Sequence, residues 1–430
     1  MYKDCEIGSI PTNWNIQKLE ELANVTGGKR LPKGSSLSEI NNGHPYIRVS
    51  DMNDKGIQLD SMLYVPDDVV EQISRYRVDK DDLYISVAGT LGLVGKVPDE
   101  LNGANLTENA DRISNIRCNT DFLLYCLKSD FIKKIINSEM TTNAQPKLAL
   151  TRIKQFPIPV PPLKEQQKIA EILSSVDAAI EKTEQVIAKT EEVKKGLMQQ
   201  LLTKGIGHTK FKDSKLGLIP ESWNLIDFIE VADSNIDYSF TGGPFGSDLK
   251  SEDYTENGVR IIQLQNIKDG YFNDDYKIFT SEEKADKLKS CNIYPGEIII
   301  AKMADPLARA CLVPDKDSRY LMASDGIRLS IDKCKFDINF VLYSINSIYF
   351  RNQAEEVGTG TTRLRIGLSA LKKLQFKVPP LEEQKRISSI ILSFDNKIKN
   401  EQEKLIKLKN CKKGLMQQLL TGQVRVGALC

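Results

Sequence analysis

The sequence predicts an α+β protein. Two mixed α/β globular segments lie at opposite ends of an antiparallel two-helix coiled coil, related by an internal pseudo-twofold repeat. Three observations lead there. The decapeptide KKGLMQQLLT occurs twice, at Lys194–Thr203 and Lys412–Thr421. Upstream stands PPLKEQQKIAEILSSVDAAI (Pro161–Ile180) or PPLEEQKRISSIILSFDNKI (Pro379–Ile398), at a constant offset of 218 residues from the prolines to the end of the decapeptide. Each half opens on a related segment, GSIPTNWN (Gly8–Asn15) and GLIPESWN (Gly217–Asn224), offset by 209. So long a period signals a duplicated domain rather than a solenoid.

The repeated segments read as helices. Ile169, Leu173, Val176, Ile180, Thr183, Ile187, Thr190, Lys194, Leu197 and Leu201 keep a 4-3 spacing, the seam of a heptad. Ile387, Ile391, Phe394, Ile398, Glu401, Leu405, Leu408, Lys412, Leu415 and Leu419 repeat it in the same register. The Pro-Pro pairs favour extended backbone before each helix, and Gly205 and Gly422 supply its stop. About forty residues at ~1.5 Å rise give a rod of roughly 60 Å. A helix of that length with polar seam positions needs a partner, and the second copy is the matching one. A parallel pair would stretch the connector along the whole rod, whereas an antiparallel pair places each globular segment where a helix stops. The same geometry brings Gly8–Trp14 to the C-terminal end of the second helix and the chain termini together. Gly196 and Gly414 interrupt both helices in one register, which points to a close helix–helix or helix–partner crossing.

The globular segments alternate short strand-like runs with helical stretches. YIRVSDM (Tyr46–Met52) matches RIIQLQNI (Arg260–Ile267) in position, and DLYISVAG (Asp82–Gly89) matches GEIIIAKM (Gly296–Met303). Helical patterns follow at Thr120–Ile136 and Asn339–Glu355. Loops rich in glycine and cations correspond too: GGKRLPKGSS (Gly27–Ser36) with TGGPFGSDLK (Thr241–Lys250), and TTNAQPKL (Thr141–Leu148) with GTGTTRLRI (Gly358–Ile366). Glycine lets backbone approach closely, and Lys or Arg beside Asn, Gln or Thr pairs with phosphates and base edges. A solvated turn has the same composition. The connector GIGHTKFKDSKLG (Gly205–Gly217) reads equally as a basic arm or a charged linker.

Composition narrows the function. Net charge is +1, which excludes a generally basic coat but leaves room for a local basic face. The N-terminus carries no secretory pattern and no apolar run approaches a membrane span, so the expectation is a cytoplasmic protein. Eight scattered cysteines, no CxxC and two histidines (His44, His208) point to free thiols rather than a metal site. GTLGLVGKV (Gly89–Val97) is no phosphate loop, because Val97 stands where that loop needs Ser or Thr. No GxSxG, HExxH or strand-following GxGxxG occurs, so no catalytic residue is assigned.

The paired "PPLxEQ–long helix–KKGLMQQLLT" segments, each after a "G-x-IP-x-x-W" opening, resemble the DNA-specificity subunit of type I restriction–modification systems over nearly the whole chain. The resemblance implies a non-catalytic subunit whose two target recognition domains each read half of a split double-stranded DNA site. The helices set the unread spacer. Two modification (methyltransferase) subunits dock on it and restriction (translocase/nuclease) subunits join, so S-adenosylmethionine, ATP and Mg belong to the partners and no cofactor or metal to this chain. The divisions are 1–158 (first recognition domain), 159–205 (first helix), 206–376 (linker and second recognition domain), 377–422 (second helix) and 423–430 (tail).

Lys29, Arg30, Lys33, Lys147, Arg363 and Arg365 are candidates for phosphates. Asn143, Gln145, Gln263, Gln265, Asn266, Thr361 and Thr362 are candidates for base edges. Gly196, Leu197, Gln199 and Leu201, with Gly414, Leu415, Gln417 and Leu419, are candidates for the coiled coil and partner docking. Two readings stand beside this one: a coiled-coil scaffold without DNA contact, and a methyltransferase carrying its own reader.

Overall fold

The computed structural model describes the chain apart from residues 141–146, 304, 361–362 and 427–430. It divides into two compact units, Met1–Gln185 with Glu403–Cys430, and Val186–Gln402.

In the first unit, β1 (Asn24–Gly27), β2 (Leu83–Ser86), β3 (Val94–Lys96) and β4 (Ala110–Ser114) form an antiparallel sheet in the order β3-β2-β4-β1. A smaller sheet sets Pro45–Ile47 between Asn105–Leu106, parallel, and Leu63–Tyr64, antiparallel. The main sheet is buried on both faces. Leu83 and Ile85 point to a core shared with α1 (Thr120–Leu127) and α2 (Asp130–Met140), whereas Tyr84 joins Ile47, Val97 and Leu106 on the other side. A strand alternates its side chains, so a run with no polar face is what such burial requires. The first core also takes Ile169 and Leu173 from the long helix α3 (Leu163–Lys204).

The second unit repeats the plan. β5 (Phe240–Gly242), β6 (Ile298–Ala301), β7 (Ala310–Leu312) and β8 (Gly326–Leu329) stand in the order β5-β8-β6-β7, which is the first sheet's order read from the other edge. Val259–Ile262 pairs parallel with Tyr320–Met322, as Pro45–Ile47 does with Asn105–Leu106. α4 (Ile338–Ile345) and α5 (Ile348–Glu356) pack with the sheet, and the core takes Ile387 and Ile391 from the long helix α6 (Leu381–Leu420).

The expected helices Thr120–Ile136 and Asn339–Glu355 are each two helices. They break at equivalent serines, where the Ser129 hydroxyl donates to the Cys126 carbonyl (2.5 Å) and the Ser347 hydroxyl to the Ser344 carbonyl (2.6 Å). Such local bonds offer the backbone an alternative to the helical ladder. Asn119 and Asp337 cap the preceding helices by accepting from the Phe122 and Phe340 amides.

The long helices pair antiparallel within each unit. In the first, Glu165 meets Arg425 (2.7 Å) and Asp177 meets Lys412 (2.5 Å). In the second, Lys194 meets Asp395 (2.5 Å), and the Ile206 amide donates to Glu383 (3.1 Å). As one helix number rises its partner's falls. Every expected seam position is buried or half-buried. Of the polar ones, Lys194 and Lys412 pair across to the other helix, while the Thr183 and Thr190 hydroxyls donate locally to the Ala179 and Val186 carbonyls (2.8 and 2.6 Å).

Two expectations change. A Cβ on Gly196 or Gly414 would meet nothing within 4 Å, so no crossing inside the chain requires either glycine. The connector after Gly205 is no plain charged linker either, since Phe211–Lys212 pairs with Ile219–Pro220 as a hairpin matching Tyr2–Cys5 with Gly8–Pro11.

Candidate nucleic-acid interface

The motif PPLxEQ fastens each domain to its helix. Gln166 donates to the Pro161 carbonyl (2.8 Å) and accepts from the Asn119 amide (2.9 Å); Gln384 does the same with Pro379 (2.9 Å) and Asp337 (3.0 Å). The preceding glutamate receives the domain's tryptophan: Trp14 Nε1 donates to Glu165 (3.2 Å) and Trp223 Nε1 to Glu383 (3.0 Å). A third group closes each node, Arg425 on Glu165 and His208 on Glu383 (2.8 Å). Gly205 and Gly422 end the helices at φ +67°, and a Cβ on either would strike this node, at Glu383 or at Pro11.

A second anchor lies one helical stretch away. Tyr125 donates to Asp177 (2.9 Å), which also binds Lys412; Tyr343 donates to Asp395 (2.6 Å), which binds Lys194. Each domain is thus tied to both long helices, and the lysine at the start of each KKGLMQQLLT copy serves the domain that the other helix carries.

These anchors hold the loops at the sheet ends. In the first unit the Gly28 amide donates to the Ala110 carbonyl (3.0 Å), Lys29 to Leu106 (2.8 Å), Val87 to Asn109 (2.7 Å) and Leu148 to Val87 (2.9 Å). In the second, Gly243 donates to Gly326 (2.8 Å), Lys302 to Asp325 (2.8 Å) and Ile366 to Lys302 (2.9 Å). A Cβ on Gly28 would lie 2.1 Å from the Thr107 carbonyl oxygen, and one on Gly243 would lie 1.9 Å from that of Ala323. The loops that correspond by sequence position thus make corresponding backbone bonds, each within its own unit.

The candidate residues fare differently. Lys29, Arg30, Lys33 and Lys147 are exposed at this end of the first unit; Arg30 pairs with Glu108 (2.7 Å). Arg363 and Arg365 are exposed in the second unit, with Arg365 on Asp325 (2.7 Å). Gln265 is exposed and Gln263 half-buried. Asn266 is a correction. It is wholly buried, accepts from the Gln263 amide and donates to the Asn273 and Tyr276 carbonyls, so its amide is spent on its own loop. Asn143, Gln145, Thr361 and Thr362 lie outside the described residues. Leu201 and Leu419 belong to the domain cores, Leu197 and Leu415 pack against them, and Gln199 and Gln417 are exposed.

Sequence reasoning passed over three residues here. Lys302, at the end of a buried strand, is half-buried beside Gly242 and donates to the Ser324 carbonyl (2.9 Å); burial, reinforced by Arg365, holds its amine below the usual lysine range. The signal was a lysine closing the apolar run IIIA, where the first unit has Val87. Phe245 is 83% exposed in the GGPFG loop. Asp111, on β4 beside Gly27, is 4% exposed, and its Oδ2 has no hydrogen-bond partner among the described residues. Burial pushes that carboxyl up to about 6.

With two such domains in place, the comparisons with known proteins have a structural counterpart. The family described as type I restriction modification DNA specificity domain matches residues 11–192 and 248–410. The chain belongs to this DNA-specificity family. Two curated relatives come from Methanocaldococcus jannaschii. One, a putative type I restriction enzyme MjaX specificity subunit, is 29% identical over 99% of this chain and 97% of its own. The other, the MjaVIII specificity subunit, is 25% identical over 97% and 94%. The fold is shared with a solved chain from a study of assembly and conformational transition in a type I R-M system (TM-score 0.59, 18% identity, covering 96% of this chain and 99% of that one). It is also shared with the type I S subunit of M. genitalium (TM-score 0.55, 16% identity, 95% and 96%). In the specificity family's terms, the two matched segments are the two domain-plus-helix repeats. No described helix is long and apolar enough to cross a membrane.

Proposed function

We propose that this chain is the specificity subunit of a cytoplasmic type I restriction–modification enzyme. Each domain reads one half of a bipartite duplex site, and the paired helices fix the unread spacer. The observation that carries this reading is one helix-anchored domain built twice in a single chain, with glycine-backed, cation-bearing loops at the same sheet end each time. A single small domain reads few base pairs, and linking two readers multiplies both affinity and specificity.

The chemistry lies with partners. Two copies of a modification subunit holding S-adenosylmethionine dock on the repeated helix segments, and restriction subunits using ATP and Mg join them. The test is methylome sequencing of cells expressing this chain with its modification partner. A split motif with a fixed gap is the expected result; a contiguous motif, or no motif, refutes the reading. Inserting one heptad into both helices adds ~10 Å of rise, close to three base pairs at ~3.4 Å each. The gap changes while both half-sites stay.

A further inference from the structure

The two units differ at one place where their architecture is the same. In the first unit the hairpin after Cys5, the break between α1 and α2 and the last turns of α6 enclose a cleft of about 580 Å³. Lys128, Lys133, Lys134, Lys409, Lys412 and Lys413 line it, against the single carboxylate Asp130. Lys412 is taken by Asp177 and Lys409 by Glu184 (2.9 Å). The other four have no ion pair among the described residues. Lys128 is half-buried, and burial followed by the nearby charge of Lys412 lowers its affinity for a proton.

Folding gains nothing from gathering unpaired like charges. The second unit dispenses with them. At the equivalent positions, 218 residues away, it carries Asn346 between α4 and α5, Arg351 and Asn352 on α5, and Glu191, Lys194 and Lys195 on α3. Asn346 there bonds both polar groups of Ala310 (2.9 Å each), Arg351 pairs with Asp269 (2.7 Å), and Lys194 pairs with Asp395. Of the cations at these positions, Lys195 alone has no ion pair among the described residues.

We propose that this cleft is the docking site of an acidic segment of a protein partner, and that the two partner-docking surfaces of the chain are therefore unequal. The inference rests on the reading above, in which two copies of one modification subunit dock on the repeated helix segments. Two features favour a protein segment over nucleic acid. The cleft is concave and interleaves its lysines with the apolar Ile7, Phe131 and Met416, whereas a duplex presents a convex flank that reaches only rim lysines. One wall is also the repeated segment Lys412–Thr421 itself. Charge complementarity then makes docking at the first unit stronger and more salt-sensitive than at the second.

The test uses the full chain, its modification subunit and a 30-base-pair duplex carrying the methylated motif. Lys133, Lys134 and Lys413 are changed together to Glu, with the triple Gln variant as a milder second form should the first fold poorly. Partner stoichiometry is read by native mass spectrometry and sedimentation at low and high salt. In the wild type the two copies bind with affinities at least tenfold apart, the tighter one weakening with salt. In the variants the tighter site weakens to match the other, so that gap closes, and no copy is held at the partner concentration where the wild type holds its first.

Two equal copies on both wild type and variants overturn the proposal. So does duplex binding that falls in the isolated variant while partner binding holds, which makes the cleft a nucleic-acid site, or release of the effect by inorganic triphosphate alone, which makes it a small-anion site. A wild type that binds the duplex and no partner overturns the docking reading itself, and this inference with it.

Discussion

Asp111 gives the sharpest quantitative test of the site's electrostatics. Its carboxyl titrates at about 6 in the folded chain against an ordinary 3.8, because burial disfavours the charged form and its Oδ2 has no hydrogen bond among the described residues to offset it. The sign follows directly. A carboxyl whose folded value is raised costs nothing where both states are protonated. Ionising it then costs stability progressively as pH climbs from the unfolded value through the folded one. The ceiling is about 3 kcal/mol at ~1.4 kcal/mol per pH unit of displacement, of which about 2.5 kcal/mol appears between roughly pH 4 and pH 8. Asp111→Asn removes the titration. The buried amide brings its own unsatisfied donors at about 1–3 kcal/mol, but that penalty does not depend on pH and cancels in the comparison. Urea melts of both forms at the two pH values read the difference. The variant is expected to gain on the wild type by about 2.5 kcal/mol on going from the acid to the alkaline condition. An offset that is the same at both pH values refutes the reasoning.

The glycines in one helix should respond with opposite signs. Gly196→Ala and Gly414→Ala are expected to stabilise the isolated chain by up to ~1 kcal/mol each in thermal melts, because the helix interior gains propensity and the Cβ meets open space. Gly205→Ala and Gly422→Ala are expected to destabilise by more than ~1 kcal/mol, since both need positive φ and room beside a tryptophan node. Glu383→Ala leaves the Trp223 and Ile206 donors unpaired and is expected to cost about 1–3 kcal/mol in the same melts, whereas His208→Arg copies the first unit's Arg425 and is expected to be tolerated. Phe245→Ala touches no core and should leave the melting temperature unchanged; a fall in duplex affinity at fixed salt would mark it as a base-contacting wedge.

Much of this was legible in the sequence. The heptad seam and the glycine stops come from periodicities set by backbone geometry, and they survive any tertiary context. The pairing of Gly27–Ser36 with Thr241–Lys250 was legible because their close backbone contacts tolerate no side chain at Gly28 and Gly243. Position along the chain did not distinguish Asn266 from Gln265, although one amide is consumed by its own loop and the other faces solvent. Nor did it show why PPLxEQ holds its last two residues, since Glu165 and Gln166 act on Trp14 and Asn119, which lie far off in the chain. Lys302 and Asp111 were hidden for the same reason. A strand pattern reports burial, and what a buried charge lacks is visible only once its neighbours are placed.

The two tryptophan nodes are closed by different residues. In the second unit the helix stop at Gly205 runs by peptide bond into His208 and the hairpin at Phe211–Lys212. In the first, the stop at Gly422 runs into Arg425, while the equivalent hairpin pairs Tyr2–Cys5 with Gly8–Pro11. There the Tyr2 hydroxyl donates to the Gly422 carbonyl (3.2 Å), and Arg425 binds both Glu165 and Asn13. Arginine, with its fork of donors, holds a carboxylate and an amide at once, which one imidazole nitrogen cannot do. Arg425 therefore joins two side chains at the first node through one cation. His208 suffices in the second unit because the backbone there already holds the pieces in register.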